Sequence, residues 1–147
     1  QKVNVADSLV FPDVSDDTYL CFIQSGEMLS NNALLQWVCY LCQHDVDVCY
    51  SDSDIVRTDG LHVEPNYKPD WSPEYLLSKD YIGGVYLVRN SAQLNGVIKE
   101  IPGYDSSAWR YDLLLNLVER TDNIGHIEKV LWSKSSADIQ SESLIEE

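Results

Sequence analysis

Apolar residues fall in short runs along this chain, and the spacing within each run separates strand from helix. Tyr19–Ile23, a stretch of β-forming residues behind the acidic turn Ser15-Asp16-Asp17, predicts a buried strand. Ser30-Asn31-Asn32 then offers capping side chains. Leu34, Leu35, Val38, Leu41 and Cys42 recur at helical spacing, which predicts a helix through Ala33–Gln43. Val46–Tyr50 is a second strand after a short link. Strand, helix and strand joined this closely predict a parallel crossover unit, and so an α/β sheet.

From Ser51 to Asp70 the chain is polar and reads as turn-rich, with a tight turn at Asp59-Gly60 and extended backbone at Pro65 and Pro69. Ser72-Pro73-Glu74 has the form of a helix start: an N-cap serine, proline in the first position and an acid in the first turn. Gly83-Gly84 is expected to end that helix, and Val85–Val88 to form a third strand. Ser91–Leu94 reads as a half-turn of helix and Gly96–Ser107 as loop. Tyr111–Glu119 carries Leu114, Leu117 and Val118 on one helical face, and Ile124–Ile127 and Val130–Trp132 read as two short closing strands. Beyond Lys134 the apolar period is lost, so residues 1–134 read as the domain and 135–147 as an acidic tail or linker.

At 147 residues the chain fits one domain, and its 44% hydrophobic content supplies a core. Charge narrows the function further. There are 24 acidic against 10 basic residues, a formal net of −14, and the basic residues are scattered singly. Such a field repels phosphate backbones, which argues against nucleic acid as a partner. Cys39 and Cys42 form a C-x-x-C inside the helical stretch, with no second Cys or His pair at ligand spacing; His44 stands alone. With Cys21 and Cys49 they read as buried free thiols of a reducing compartment. The longest apolar stretch, Leu34–Cys42, is broken by Gln36 and is shorter than the ~20 residues that span a bilayer. With no signal peptide visible, the chain is expected in the cytoplasm, and any association with the inner membrane is left to a parent protein; Gln1 fits a chain cut from a longer parent. No phosphate-binding glycine loop, G-x-S-x-G or H-E-x-x-H occurs.

Three blocks of residues, in order, carry a resemblance. The first is Tyr50-Ser51-Asp52-Ser53-Asp54. The second runs Lys68-Pro69-Asp70-Trp71-Ser72-Pro73-Glu74-Tyr75-Leu76-Leu77-Ser78, then Tyr81-Ile82-Gly83 and Leu87-Val88-Arg89. The third is Tyr111-Asp112-Leu113-Leu114-Leu115 with Leu117, followed by Ile124, His126-Ile127 and Lys129-Val130-Leu131. Together they resemble the later part of a family-2 glycosyltransferase domain, notably of enzymes that build bacterial surface polysaccharides. The resemblance covers Tyr19 to about Lys134 and implies a partial GT-A-like, Rossmann-like nucleotide-diphospho-sugar transferase sheet with flanking helices. The half of such a domain that holds the nucleotide base would precede Tyr19, where only a short segment stands.

Sugar transfer needs a cation to neutralise the departing diphosphate, a base for the acceptor proton, and walls that hold the two substrates in line. In the family the metal is held by an Asp-x-Asp or Asp-Asp cluster just after the first core strand. Gln24 and Gly26 stand at those positions here, and only Glu27 remains as a metal candidate. The family's base falls on Arg110, which stays protonated, and its late histidine falls on Ser133. Asp112 and Asp105 are substitute acids outside the motif. These departures imply loss of chemistry, with no metal cofactor. The alternative is an active transferase in which Arg110 and Lys134 replace the metal, or one that a partner completes; magnesium or manganese would then return as cofactor. Asp52 and Asp54 are either an acidic rim beside a sugar or, more plainly, turn residues bonding local backbone. Trp71, Trp109 and Trp132 either stack on sugar rings or fill the core, with function favoured at Trp71, which borders the acceptor side in the family. Lys68 is an acceptor contact or a surface lysine. The expected role is a non-catalytic module of a larger glycan-building protein, partnered by another glycosyltransferase domain, a second copy or a glycan.

Overall fold

The computed structural model describes residues 18–100, 108–137 and 139. Its elements run β1 (Tyr19–Cys21), β2 (Glu27–Leu29), α1 (Ala33–Leu41), β3 (Val48–Val56), β4 (His62–Asn66), α2 (Pro73–Ser78), β5 (Tyr86–Arg89), α3 (Ala92–Glu100), α4 (Trp109–Val118) and β6 (Ile124–Ser135). β3 is central because it is buried along most of its length and pairs on both edges. β6 runs parallel to it on one side; on the other, antiparallel β5 covers Val48–Tyr50 and antiparallel β4 covers Ser53–Val56. The strand order is β1-β5-β3-β6-β2.

Successive strand residues point to opposite faces, and this divides the core in two. Val48, Tyr50, Tyr86 and Val88 pack against Leu76 of α2, Leu94, Val97 and Ile98 of α3, and Leu113, Leu114 and Leu117 of α4. Cys49, Leu87, Leu131 and Trp132 pack on the other side against Ala33 and Trp37 of α1. The α/β class read from the sequence is the class observed. β1 and β3 do run the same way, since each is antiparallel to β5, but β5 lies between them. No described helix is long and apolar enough to cross a membrane.

Several local expectations are corrected. In α1 the side chains that carry the helical spacing, Leu34, Leu35 and Val38, are 68%, 62% and 58% exposed, whereas Ala33 and Trp37 are buried. Neither Asn32 nor Ser72 makes a side-chain cap bond; Ser30 Oγ donates to Asn32 Oδ1 instead. Pro73 and Glu74 do occupy the first turn of α2, which ends at Ser78, well before the glycines. Gly83 instead turns the chain into β5 at φ 80°. Ser51–Val56 extends β3 and His62–Asn66 returns as β4, so the polar stretch is a hairpin around the expected Asp59-Gly60 turn rather than loop. Ala92–Glu100 is a full helix because Leu94, Val97 and Ile98 are buried. The two closing strands are one, bulged where Ser51 pairs with Ile127 and Asp52 already with Val130. The domain's last strand also runs one residue past Lys134. Cys49 is buried and Cys21 half-buried, but Cys39 on α1 and Cys42 at its C-cap are exposed free thiols. Ser15-Asp16-Asp17, Asp105 and the end of the acidic tail lie outside the described residues.

Candidate functional site

The turn between β1 and β2 brings Gln24 and Glu27 under the start of α4. Gly26 closes it at φ 85°, and Glu27 N–H donates to Gln24 O at 3.1 Å. Arg110, in the first turn of α4, reaches down into this turn. Its Nη1 donates to Glu27 Oε2 at 2.8 Å and its Nη2 to Glu27 Oε1 at 2.7 Å, a two-pronged charged pair. Both side chains are nearly sealed from water, at 8% and 5% exposure. Nη1 also donates to Gly84 O at 2.9 Å and Phe22 O at 3.3 Å, and Nη2 to Gln24 Oε1 at 2.7 Å. Glu27 Oε2 accepts Gln24 N–H as well, at 2.8 Å. The guanidinium lies flat on Gly84, where a Cβ would fall 2.2 Å from its Cζ.

Thus the position matched to the base and the position matched to the metal meet each other. Arg110 is ion-paired and buried. Lys134 lies opposite Glu27 in the β2–β6 pairing. Asp112 is exposed on the outer side of α4, and its backbone carbonyl accepts from Asn116 Nδ2 at 2.7 Å.

The other candidates gather around β3. Asp52 and Asp54 sit in the strand and bond across the sheet, which corrects the turn reading. Asp52 Oδ1 accepts from Lys68 N–H at 2.9 Å and faces His126 Nε2 at 2.9 Å. Asp54 accepts from Ser133 Oγ and faces His62 Nδ1 at 2.9 Å. Ser133 is therefore a buried clip between β6 and β3. Lys68 is no surface lysine: it is buried, donates from Nζ to Ser51 O at 2.6 Å, and lies 4.8 Å from the Trp132 ring centre. Burial lowers its amine to about 8, against the opposing pull of Asp52 and Asp80. Burial also raises the Asp80 carboxyl, opposed by its bond from Gly83 N–H and by the Lys68 and Arg110 charges.

Trp109 is buried edge-on against Phe22 at 5.3 Å, and Trp132 fills the core under α1, so neither presents a free face to a sugar. Trp71 is half-buried and packs on the helical core. Sequence reasoning missed the Arg110–Glu27 partnership, the role of Gly84, and His126, which links Asp52 to Asp70 (Nδ1 to Oδ1, 3.2 Å). The signal for His126 was its place in the third resembling block.

No family profile matches the chain. It is similar to the O-antigen biosynthesis protein RfbC of Myxococcus xanthus, 35% identical over 117 residues. That stretch is 78% of this chain but 9% of that protein, so the chain spans only a small part of its relative's length.

Proposed function

We propose that this chain is a family-2, GT-A-like glycosyltransferase module of a larger protein for surface-polysaccharide synthesis, and that it does not itself transfer sugar. Similarity to a protein named for O-antigen biosynthesis supports the polysaccharide setting, and the α/β sheet with helices on both faces suits the fold. One observation carries the loss of chemistry: the Arg110 guanidinium holds both oxygens of Glu27 inside the protein. A carboxylate sealed from water and already neutralised by a guanidinium is a poor ligand for a cation. The two terminal nitrogens of the guanidinium are equally committed, to Glu27, Gln24, Phe22 and Gly84, while its Nε is buried without a hydrogen-bond partner. For a diphosphate to use Arg110 it would have to displace a buried carboxylate, leaving that charge unpaired at a cost of about 3–5 kcal/mol. The same argument disfavours Arg110 as a substitute for a metal. The module's role is then to support a neighbouring catalytic domain or to hold a glycan.

The test is direct. The chain is mixed with uridine and thymidine diphosphate sugars, with and without manganese, and release of nucleoside diphosphate is followed. No release above the buffer rate is expected, and adding nucleoside diphosphate to the manganese-containing sample is expected to leave the melting temperature unchanged. Turnover that disappears in Arg110→Ala would instead establish the active alternative.

A further inference from the structure

A second cluster lies on the opposite side of β3 from β5, where the bulge of β6 passes α1. We propose that Asp70, His126 and Glu128 form a divalent-cation site of the zinc class, with His126 Nδ1 and one oxygen from each carboxylate as ligands. This site is separate from the Arg110–Glu27 pair and does not rest on the reading given to that pair.

The three ligand atoms all lie within 4.8 Å of one another. His126 Nδ1 and Asp70 Oδ1 are 3.2 Å apart. Ligands about 2.0–2.1 Å from a tetrahedral zinc ion sit about 3.3 Å from each other. One imidazole with two carboxylates suits zinc and its transition-metal neighbours better than the oxygen-only preferences of calcium or magnesium.

The buried half of the cluster points the same way. The His126 side chain is 5% exposed, and its ring stacks on Tyr50 at 4.6 Å and 10°, which fixes its plane. Its Nε2 faces Asp52, a carboxylate whose side chain is 4% exposed and which also accepts Lys68 N–H. A buried carboxylate at this nitrogen keeps the proton there and turns the Nδ1 lone pair outward, the arrangement that orients metal-binding histidines. Nδ1 then confronts Asp70 Oδ1, and two acceptors at that distance repel unless a proton or a cation lies between them. The bulge supplies the third ligand: Glu128 and Lys129 have no partner in β3. The Lys129 ammonium is held away from the ligands by Gln36, its Nζ donating to Gln36 Oε1 at 2.5 Å across the groove. That groove, lined by Cys39 and Tyr40 of α1 beside His126 and Glu128, opens the cluster to solvent.

Zinc chloride titrated into the chain, followed by calorimetry and native mass spectrometry, tests the site. One saturable zinc per chain is expected. Asp70→Asn and Glu128→Gln, both at exposed positions, are expected to abolish it while leaving the circular dichroism unchanged. Asp52→Asn is expected to weaken it by about 10- to 100-fold. Nitrogen-15 NMR of the histidines should show the His126 Nδ1 resonance shift on zinc addition while Nε2 keeps its proton. No saturable uptake overturns the proposal, since a proton alone then bridges the pair. So does uptake that survives both carboxylate variants, or that is lost instead in Cys39→Ser with Cys42→Ser.

Discussion

Arg110 and Gly84 cannot be understood apart. A methyl group on Gly84 would lie 2.2 Å from Arg110 Cζ, and the guanidinium is pinned by Glu27, Gln24 and Phe22, so it has nowhere to retreat. Gly84→Ala is therefore expected to destabilise by about 1–3 kcal/mol, the range for overpacking a filled site. Arg110→Leu should cost more, about 3–5 kcal/mol, because Glu27 is left charged and buried. Arg110→Leu with Glu27→Leu should regain most of that loss, and urea denaturation of the three variants checks the order. Lys68 gives a pH signature. Its amine sits at about 8 in the fold against 10.5 when exposed, so between those values the unfolded chain holds more protons and stability rises with pH. Burial acts oppositely on the Cys49 thiol, raised from 9.0 to about 12, whose contribution is lost as pH climbs above 9. Cys21, raised from 9.0 to about 11, acts in the same direction as Cys49, so both thiols already oppose the lysine between pH 8 and 9. The lysine's share of the change there is an increase of up to about 1 kcal/mol, read as the difference between the parent and Lys68→Met measured over the same pH range.

At the level of elements, α1 separates what a local pattern can reveal from what it cannot. Apolar side chains surround this helix, so the helix was legible but its inward face was not. The turn was decided by Trp37, which reaches the core beside Leu131 and Trp132, and by Tyr40, whose ring lies against Gly125 where any Cβ would collide. Trp37→Ala is expected to cost about 3–5 kcal/mol. Leu34→Ser and Leu35→Ser should stay within about 0.5 kcal/mol of the parent, since both are exposed; thermal melts distinguish the two classes. Other misreadings share a cause. Ser51–Asp54 looks like a turn because its polar side chains find their partners far along the chain, at His126 and Ser133. Ala92–Glu100 contains Gly96, a weak helix former, yet burial of Val97 and Ile98 overrides the propensity. Glu128-Lys129 looks like a strand end and is a bulge. In the site, the unusual residues at 24, 26 and 110 were legible one by one from the resemblance. Their union was not, because Arg110 and Glu27 stand 83 positions apart.

The whole molecule carries a net charge of −14 on 147 residues, and among the described residues most carboxylates face solvent. Two electrostatic effects compete when salt is added. Screening weakens exposed pairs such as Arg57 with Asp59, but each of these contributes at most about 1 kcal/mol. Screening also relieves the repulsion among 24 acidic groups opposed by 10 basic ones, and that repulsion acts against the compact state at every carboxylate. The buried Arg110–Glu27 pair is shielded by protein rather than by ions and should respond little. Repulsion therefore wins the sum. Raising sodium chloride from about 10 mM to about 150 mM shortens the screening length from about 30 Å to about 8 Å, which spans the width of this domain. The melting temperature is expected to rise by a few degrees across that range, equivalent to about 1 kcal/mol for a chain of this size. Arg110→Leu should rise in parallel with the parent. A fall in melting temperature with salt would mean that the exposed ion pairs, not the acidic excess, govern the stability of the molecule.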